Sequence, residues 1–160
     1  MTAASGTSVV LTVNGAEVAV GGQHPHLLAA LREELGLTAA KDGCSPQGQC
    51  GCCTVLLEGK PIQACLVTME RVAGKEVTTL EGFGPAERER LSSAFAAAGA
   101  LQCGFCTPGQ VLSLKALLDR VPHPSEEQIK QALAGNICRC GAYPKILKAA
   151  AALAEPSREV

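Results

Sequence analysis

Eight of this chain's nine cysteines fall into two groups of four, and thiol groups gathered this way can hold a metal. The first group is Cys44, Cys50, Cys53 and Cys65, within CSPQGQCGCCTVLLEGKPIQAC. The second joins Cys103 and Cys106, in QCGFC, to Cys138 and Cys140, in NICRC. A [2Fe–2S] cluster needs four thiolates on two irons, and plant-type ferredoxins supply a tight three-cysteine loop plus a distant fourth. The first group has that shape. Structural zinc also takes four thiolates, often from paired Cys-x2-Cys knuckles, so either group taken alone leaves both metals open.

The elements around these cysteines divide the chain in two. SVVLTV and AEVAV flank Asn14-Gly15, a dipeptide that favours a two-residue hairpin turn. HLLAALREELG places Leu27, Leu28, Leu31 and Leu35 at helical spacing and stops at Gly36. CTVLLE and PIQACLV read as strands bracketing Gly59-Lys60, and KEVTTLEG offers a last strand. The expectation is a small sheet with one helix laid across it.

Past Gly82 the pattern turns helical. PAERERLSSAFAAAG starts near Pro85 and ends at Gly99, its ERER run reading as a solvated face. TPGQVLSLKALLDR opens with Thr107 as a capping residue and Pro108 as the helix-starting proline. SEEQIKQALAG has Ser125 and Gln128 at capping-box spacing and closes at Gly135. A fourth helix follows Tyr143 through KILKAAAALAE, so the second half reads as a small bundle, with the boundary in EGFGPAE. Cys103 and Cys106 then precede the second bundle helix, and Cys138 and Cys140 lie between the third and fourth.

Composition narrows the function. The net charge is −1 and the aromatics are Phe83, Phe95, Phe105 and Tyr143, which gives neither a basic footprint nor a stacking surface for nucleic acid. No apolar run is long enough for a membrane span. MTAASGTSVV lacks the basic and apolar regions of a signal peptide, so a soluble, reducing, cytoplasmic setting is expected. Cys138 and Cys140, separated only by Arg139, suit a metal better than a disulfide. His24, His26 and His123 have no paired spacing, lie beside prolines in turns and read as solvent-facing. Each half is small for a hydrophobic core, and a metal bound only by the folded state would add stability.

Three strings, GQCGCCTVLLEGKPIQAC, LQCGFCTPG and AGNICRC, carry a family resemblance. The chain resembles the small iron–sulfur subunit of molybdenum hydroxylases, the xanthine dehydrogenase/aldehyde oxidoreductase family, over roughly residues 8–153. The resemblance implies an α+β chain: a β-grasp plant-type ferredoxin domain over 1–80 and an all-α four-helix bundle over 81–160. It implies one [2Fe–2S] cluster in each and favours iron over zinc. Cys44, Cys50, Cys53 and Cys65 would bind the flavin-proximal cluster, and Cys103, Cys106, Cys138 and Cys140 the molybdenum-proximal one.

It further implies a large subunit carrying a molybdopterin dinucleotide and a medium subunit carrying FAD. Gln102 would contact the pterin, in place of the helix-capping role its position alone suggests, and Cys140 would lie nearest the pterin. No residue of this chain would be catalytic. The relay would run from molybdopterin through the two clusters to FAD, with a purine or other N-heteroaromatic as the complex's substrate. An aldehyde, carbon monoxide or an aromatic thioester is the alternative. In other functional classes, a free-standing ferredoxin-type carrier would need only the first half, and a zinc-stabilised interaction module would be colourless.

The sequence departs from the family pattern at three places. Five residues separate Cys44 from Cys50 where four are usual. Cys52 replaces the alanine of the usual CGAC, reading as a small buried hydrophobe or as an exchangeable ligand. CRCGAY stands for the usual CRCTGY. Arg139 reads equally as a charge offsetting the thiolates and as a surface residue.

Overall fold

The computed structural model describes residues 8–154. Five strands form one sheet in the order β2-β1-β5-β3-β4. Strands β1 (Ser8–Val13) and β2 (Ala16–Gly21) form the expected hairpin, and Asn14 and Gly15 both adopt the left-handed backbone of its tight turn, with φ of 53° and 81°. The Asn14 side chain does more than turn the chain. It accepts a hydrogen bond from the Thr79 amide at 2.8 Å and donates to the Thr79 hydroxyl at 3.0 Å. This ties the hairpin to the end of β5 (Glu76–Thr78), which runs parallel to β1.

The second hairpin, β3 (Thr54–Leu57) and β4 (Lys60–Gln63), turns at Glu58-Gly59 rather than Gly59-Lys60. Strand β4 ends before the cysteine, because Ala64–Leu66 winds into a 3-10 turn that carries Cys65 out of the sheet. The helix after β2 begins as α1 (Leu27–Ala29) and continues as a π-helical turn over Ala30–Glu34, closed by the Leu35 amide on the Ala30 carbonyl. Its leucines do face the sheet: Leu27, Leu28 and Leu31 are fully buried against Leu11, Val20 and Val55. A short α2 (Met69–Val72), which no periodicity announced, adds Met69 and Val72 to that core.

Four helices make the second half: α3 (Pro85–Ala97), α4 (Thr107–Arg120), α5 (Glu126–Leu133) and α6 (Tyr143–Ala154). The sequence pattern extends the fourth to Glu155, which lies outside the described residues. The capping box of α5 is complete, with Ser125 and Gln128 each bonded to the other's amide. At α4 the expectation fails. Cys106 occupies the cap position without a side-chain hydrogen bond, Thr107 is the first helical residue, and Pro108 sits within the first turn.

Helix α4 is buried on two faces, with its polar Gln110 and Ser113 buried alongside its leucines. Val111, Leu114 and Leu117 enter the bundle core with Leu91, Phe95, Ile146 and Ala149. Leu112 and Ala116, one turn apart on another face, pack on Leu56 of β3 in the first half. The two halves therefore share a packed seam, to which α4 contributes this apolar face. Neither histidine before α1 is solvent-facing as expected. His24 is 11% exposed and bonds Glu34 at 2.7 Å, and His26 accepts the Ala29 amide at 3.1 Å to cap α1. His123 is exposed, as expected.

Candidate iron–sulfur sites

The eight grouped cysteines lie on loops at the ends of these elements, all as free thiols. In the first site, Cys44 and Cys50 bound a loop that turns through left-handed Ser45 and Gly48, with φ of 63° and 67°. Cys53 immediately precedes β3, and Cys65 rides the turn after β4. In the second, Cys103 and Cys106 lead into α4, while Cys138 and Cys140 occupy the link from α5 to α6.

The Cys103 and Cys140 sulfurs are 3.5 Å apart, and Cys106 and Cys138 are near enough for each thiol to affect the other's ionisation. In the first site Cys50 neighbours both Cys44 and Cys52, and Cys53 neighbours Cys65. Four thiols per site therefore fit the donor set of a [2Fe–2S] cluster, as they would that of tetrahedral zinc.

Only deprotonated sulfur binds iron, so the surroundings of each thiol matter. The amides of Gln49 and Gln47 lower Cys44 to about 7. Burial pushes Cys53 up to about 12 despite the Cys65 amide, and burial with the Cys138 thiol does the same to Cys106. Burial opposes ionisation of Cys138 too, but the amides of Ala142, Cys140 and Gly141 and the Cys106 thiol bring it below the ordinary value. The Phe105 amide, then the Cys140 thiol, lowers Cys103. The amide donors come mostly from the loops and not from the α4 terminus. The Tyr143 hydroxyl accepts the Cys138 amide at 2.8 Å, a fixed support for a buried candidate ligand.

The other singled-out residues divide by exposure. Gln102 is exposed beside Cys103, and α4 carries no side-chain cap, so the capping alternative does not hold. Arg139 is exposed and lines a cleft of about 630 Å³ between the two sites, together with Cys50, Cys52, Cys106, Phe105 and Ile137. Cys52 is 4% exposed, and burial, then its contact with Cys50, pushes its thiol up to about 12. Large apolar side chains stay exposed around the second site: Leu101, Phe105, Ile137 and Tyr143. Sequence reasoning missed this apolar rim. It also missed Asn136, buried two residues before Cys138, for which the string AGNICRC gave no positional signal.

Comparison with known proteins agrees with the donor set. A family described as "[2Fe-2S] binding domain" matches residues 79–151. One of the subunits of nicotinate dehydrogenase from Pseudomonas putida is 42% identical over 155 residues, covering 96% of this chain and 98% of that protein. Aldehyde oxidoreductase of Megalodesulfovibrio gigas is 44% identical over 88% of this chain, which corresponds to only 16% of its own length. The solved quinoline 2-oxidoreductase of Pseudomonas putida 86 superposes with a TM-score of 0.86 at 36% identity, covering 94% of this chain and 95% of the matched one. The same fold thus occurs as a separate chain and as a segment of a larger one. With a relative matched end to end and both halves superposed on a solved member, the chain belongs to the iron–sulfur small subunits of the molybdenum hydroxylase family, which are electron-transfer components of oxidoreductases.

Proposed function

We propose that this chain holds two [2Fe–2S] clusters, one on Cys44, Cys50, Cys53 and Cys65 and one on Cys103, Cys106, Cys138 and Cys140, within domains spanning 1–80 and 81–160. The observation that carries the proposal is the gathering of eight free thiols into two sites of four, with the Cys103 and Cys140 sulfurs 3.5 Å apart. When bound, each cluster accepts and releases one electron at a time. The chain's own part is to hold the thiolates, exclude water from Cys53, Cys65 and Cys138, and leave one edge reachable. That edge is the exposed pair Cys103 and Cys140, next to exposed Gln102 and the apolar side chains of Leu101 and Phe105.

In this reading a large molybdopterin-dinucleotide subunit covers that edge, with Gln102 contacting the pterin and Cys140 lying nearest to it. Electrons enter through the second site, pass to the first, and leave for FAD on a medium subunit, in the cytoplasm. The exposed apolar rim supports a covering partner. No helix among the described residues is long and apolar enough to cross a membrane. The names of two similar proteins, nicotinate dehydrogenase and quinoline 2-oxidoreductase, support an N-heteroaromatic substrate class, which includes purines. The aldehyde oxidoreductase match keeps aldehydes as the second reading.

Two measurements test this. The purified chain should be brown, with about four irons and matching acid-labile sulfide. Zinc in place of iron after anaerobic purification refutes the cluster assignment. The chain co-purified with its large subunit should show cluster reduction by nicotinate- or purine-type substrates. Reduction by aldehydes alone shifts the substrate class to the second reading.

A further inference from the structure

The loops of the two candidate sites meet at one buried amide. Asn136 is 3% exposed and stands two residues before Cys138. Its side-chain Nδ2 donates to the Gly51 carbonyl at 2.9 Å and to the Thr54 hydroxyl at 3.2 Å. Gly51 lies between Cys50 and Cys53, and Thr54 follows Cys53 directly. The Asn136 Oδ1 accepts from the Ser113 hydroxyl at 2.8 Å, and its main-chain carbonyl accepts from Gln110 Nε2 at 3.0 Å. Both of these partners lie on α4.

The chemistry of each partner fixes the amide's orientation. The Thr54 hydroxyl spends its proton on the Gly51 carbonyl at 2.7 Å, so only its lone pairs remain for Asn136. Both Nδ2 hydrogens therefore point into the first half and Oδ1 points to a donor in the second. Alongside, the Ile137 amide donates to the Cys50 carbonyl at 2.9 Å. Two adjacent links thus join residues 50–51 to residues 136–137. The approach is possible only because both surfaces lack side chains. A Cβ on Gly51, where φ is +69°, would overlap the Gly135 carbonyl, and one on Gly109 would overlap the Gly51 carbonyl.

A buried polar network between the halves is costly where a member goes unsatisfied; here the Asn136 side chain is fully paired, and only Oε1 of Gln110 lacks a partner among the described residues. It joins a segment that bears Cys50 and Cys53 to one that bears Cys138. Electron transfer between two centres slows steeply as they separate, so a fixed join between their holding loops has a direct consequence for a relay. We propose that Asn136 is a positioning residue that clamps the two cysteine loops together and sets the separation and mutual orientation of the two clusters. The clamp rests on the two-cluster reading above.

The test uses the full-length chain, unsubstituted and as Asn136→Ala and Asn136→Asp. The aspartate keeps the shape and the Ser113 bond but presents an oxygen to the Gly51 carbonyl. Both variants should load iron and sulfide as the unsubstituted chain does, because no thiol is lost. The magnetic splitting between the two reduced clusters, read by electron paramagnetic resonance, should change in both. Hydrogen exchange at the Ile137 amide should rise by about ten-fold or more, as expected when a buried bonded pair is broken. In Ser113→Ala, which leaves both bonds to the first half, both readouts should stay near the unsubstituted values.

Unchanged splitting and unchanged exchange in fully loaded Asn136 variants overturn the clamp, even if their melting temperatures fall. If those variants do not fold, Thr54→Val, which removes one of the two acceptors, is read by the same criteria for a smaller change in the same direction. If the unsubstituted chain binds no iron, the two-cluster reading has failed instead. Exchange at Ile137 then still decides whether Asn136 joins the loops.

Discussion

The two cysteine sites are built to different plans. The first is closed on its sheet side: Cys53 and Cys65 are 2% and 6% exposed, set between β3 and the turn after β4 with neighbours in the core of the sheet, while Cys44 and Cys50 are half-buried. The second is more open, with Cys138 at 7% exposure while Cys103 and Cys140 are exposed. A sheet whose core is already closed by α1 can wrap its loop around a site. A bundle that holds its site at the ends of its helices leaves an edge open. The difference teaches which site depends on its own fold and which is left to be completed by a neighbour, and the apolar rim at the open edge agrees.

The largest effects should come from removing one buried thiol of each site. Cys53→Ala should abolish the paramagnetic signal of the first cluster and leave the second, and Cys138→Ala should do the reverse. If either variant loses both signals, the sites are not independent and the comparison fails.

A smaller but still large effect tests how tightly the first site is closed. Gly51→Ala forces a Cβ onto a left-handed residue and into the Gly135 carbonyl, which should cost roughly 2–4 kcal/mol. Gly59→Ala, with nearly the same φ at +73° but open space around it, should cost about 1–2 kcal/mol. The shift in denaturant midpoint of the two variants separates backbone strain from overlap at the seam. Equal shifts would mean that the close approach of the halves adds nothing.

The open edge makes a different demand. Gln102→Ala should leave stability within about 0.5 kcal/mol, because the side chain is exposed. In the assembled complex it should slow substrate-driven cluster reduction by roughly ten-fold, if the side chain supports the entry of electrons. A stability loss with unchanged reduction would make Gln102 an ordinary surface residue.

How much of this could be read from the chain alone depended on the range of the signal. The hairpin at Asn14-Gly15, the stop at Gly99 and the capping box of α5 are local, each set by residues a few positions apart, and each is present. Within each short string the cysteine spacing is just as local, and it names the candidate ligands that the two-cluster proposal uses. Local signals misled where tertiary contacts overrode them. Thr107 has a cap's identity, yet the chain already turns helical at Cys106, and His24 in a polar turn is covered by its bond to Glu34. The seam was invisible because its partners, Asn136 and Gly51, are 85 residues apart and neither belongs to a periodic pattern.

The smallest effect is expected at the cysteine that belongs to neither quartet. Cys52 and Cys53 are both buried and both held up to about 12, so ionisation does not tell them apart. Their neighbours do. Cys53 neighbours Cys65, the fourth cysteine of the site, whereas Cys52 lines the cleft shared with Phe105 and Cys106 and neighbours Cys50, whose carbonyl it approaches at 3.9 Å. A ligand exchange to Cys52 would give up the proximity of Cys53 to Cys65 and draw the sulfur out of a covered position. Cys52→Ala should therefore keep both clusters, cost about 1 kcal/mol for the lost buried sulfur, and at most modestly shift the potential of the first cluster. Paramagnetic resonance of the reduced variant checks it beside Cys53→Ala. Loss of the first signal in Cys52→Ala with retention in Cys53→Ala would reassign the ligand of the first site.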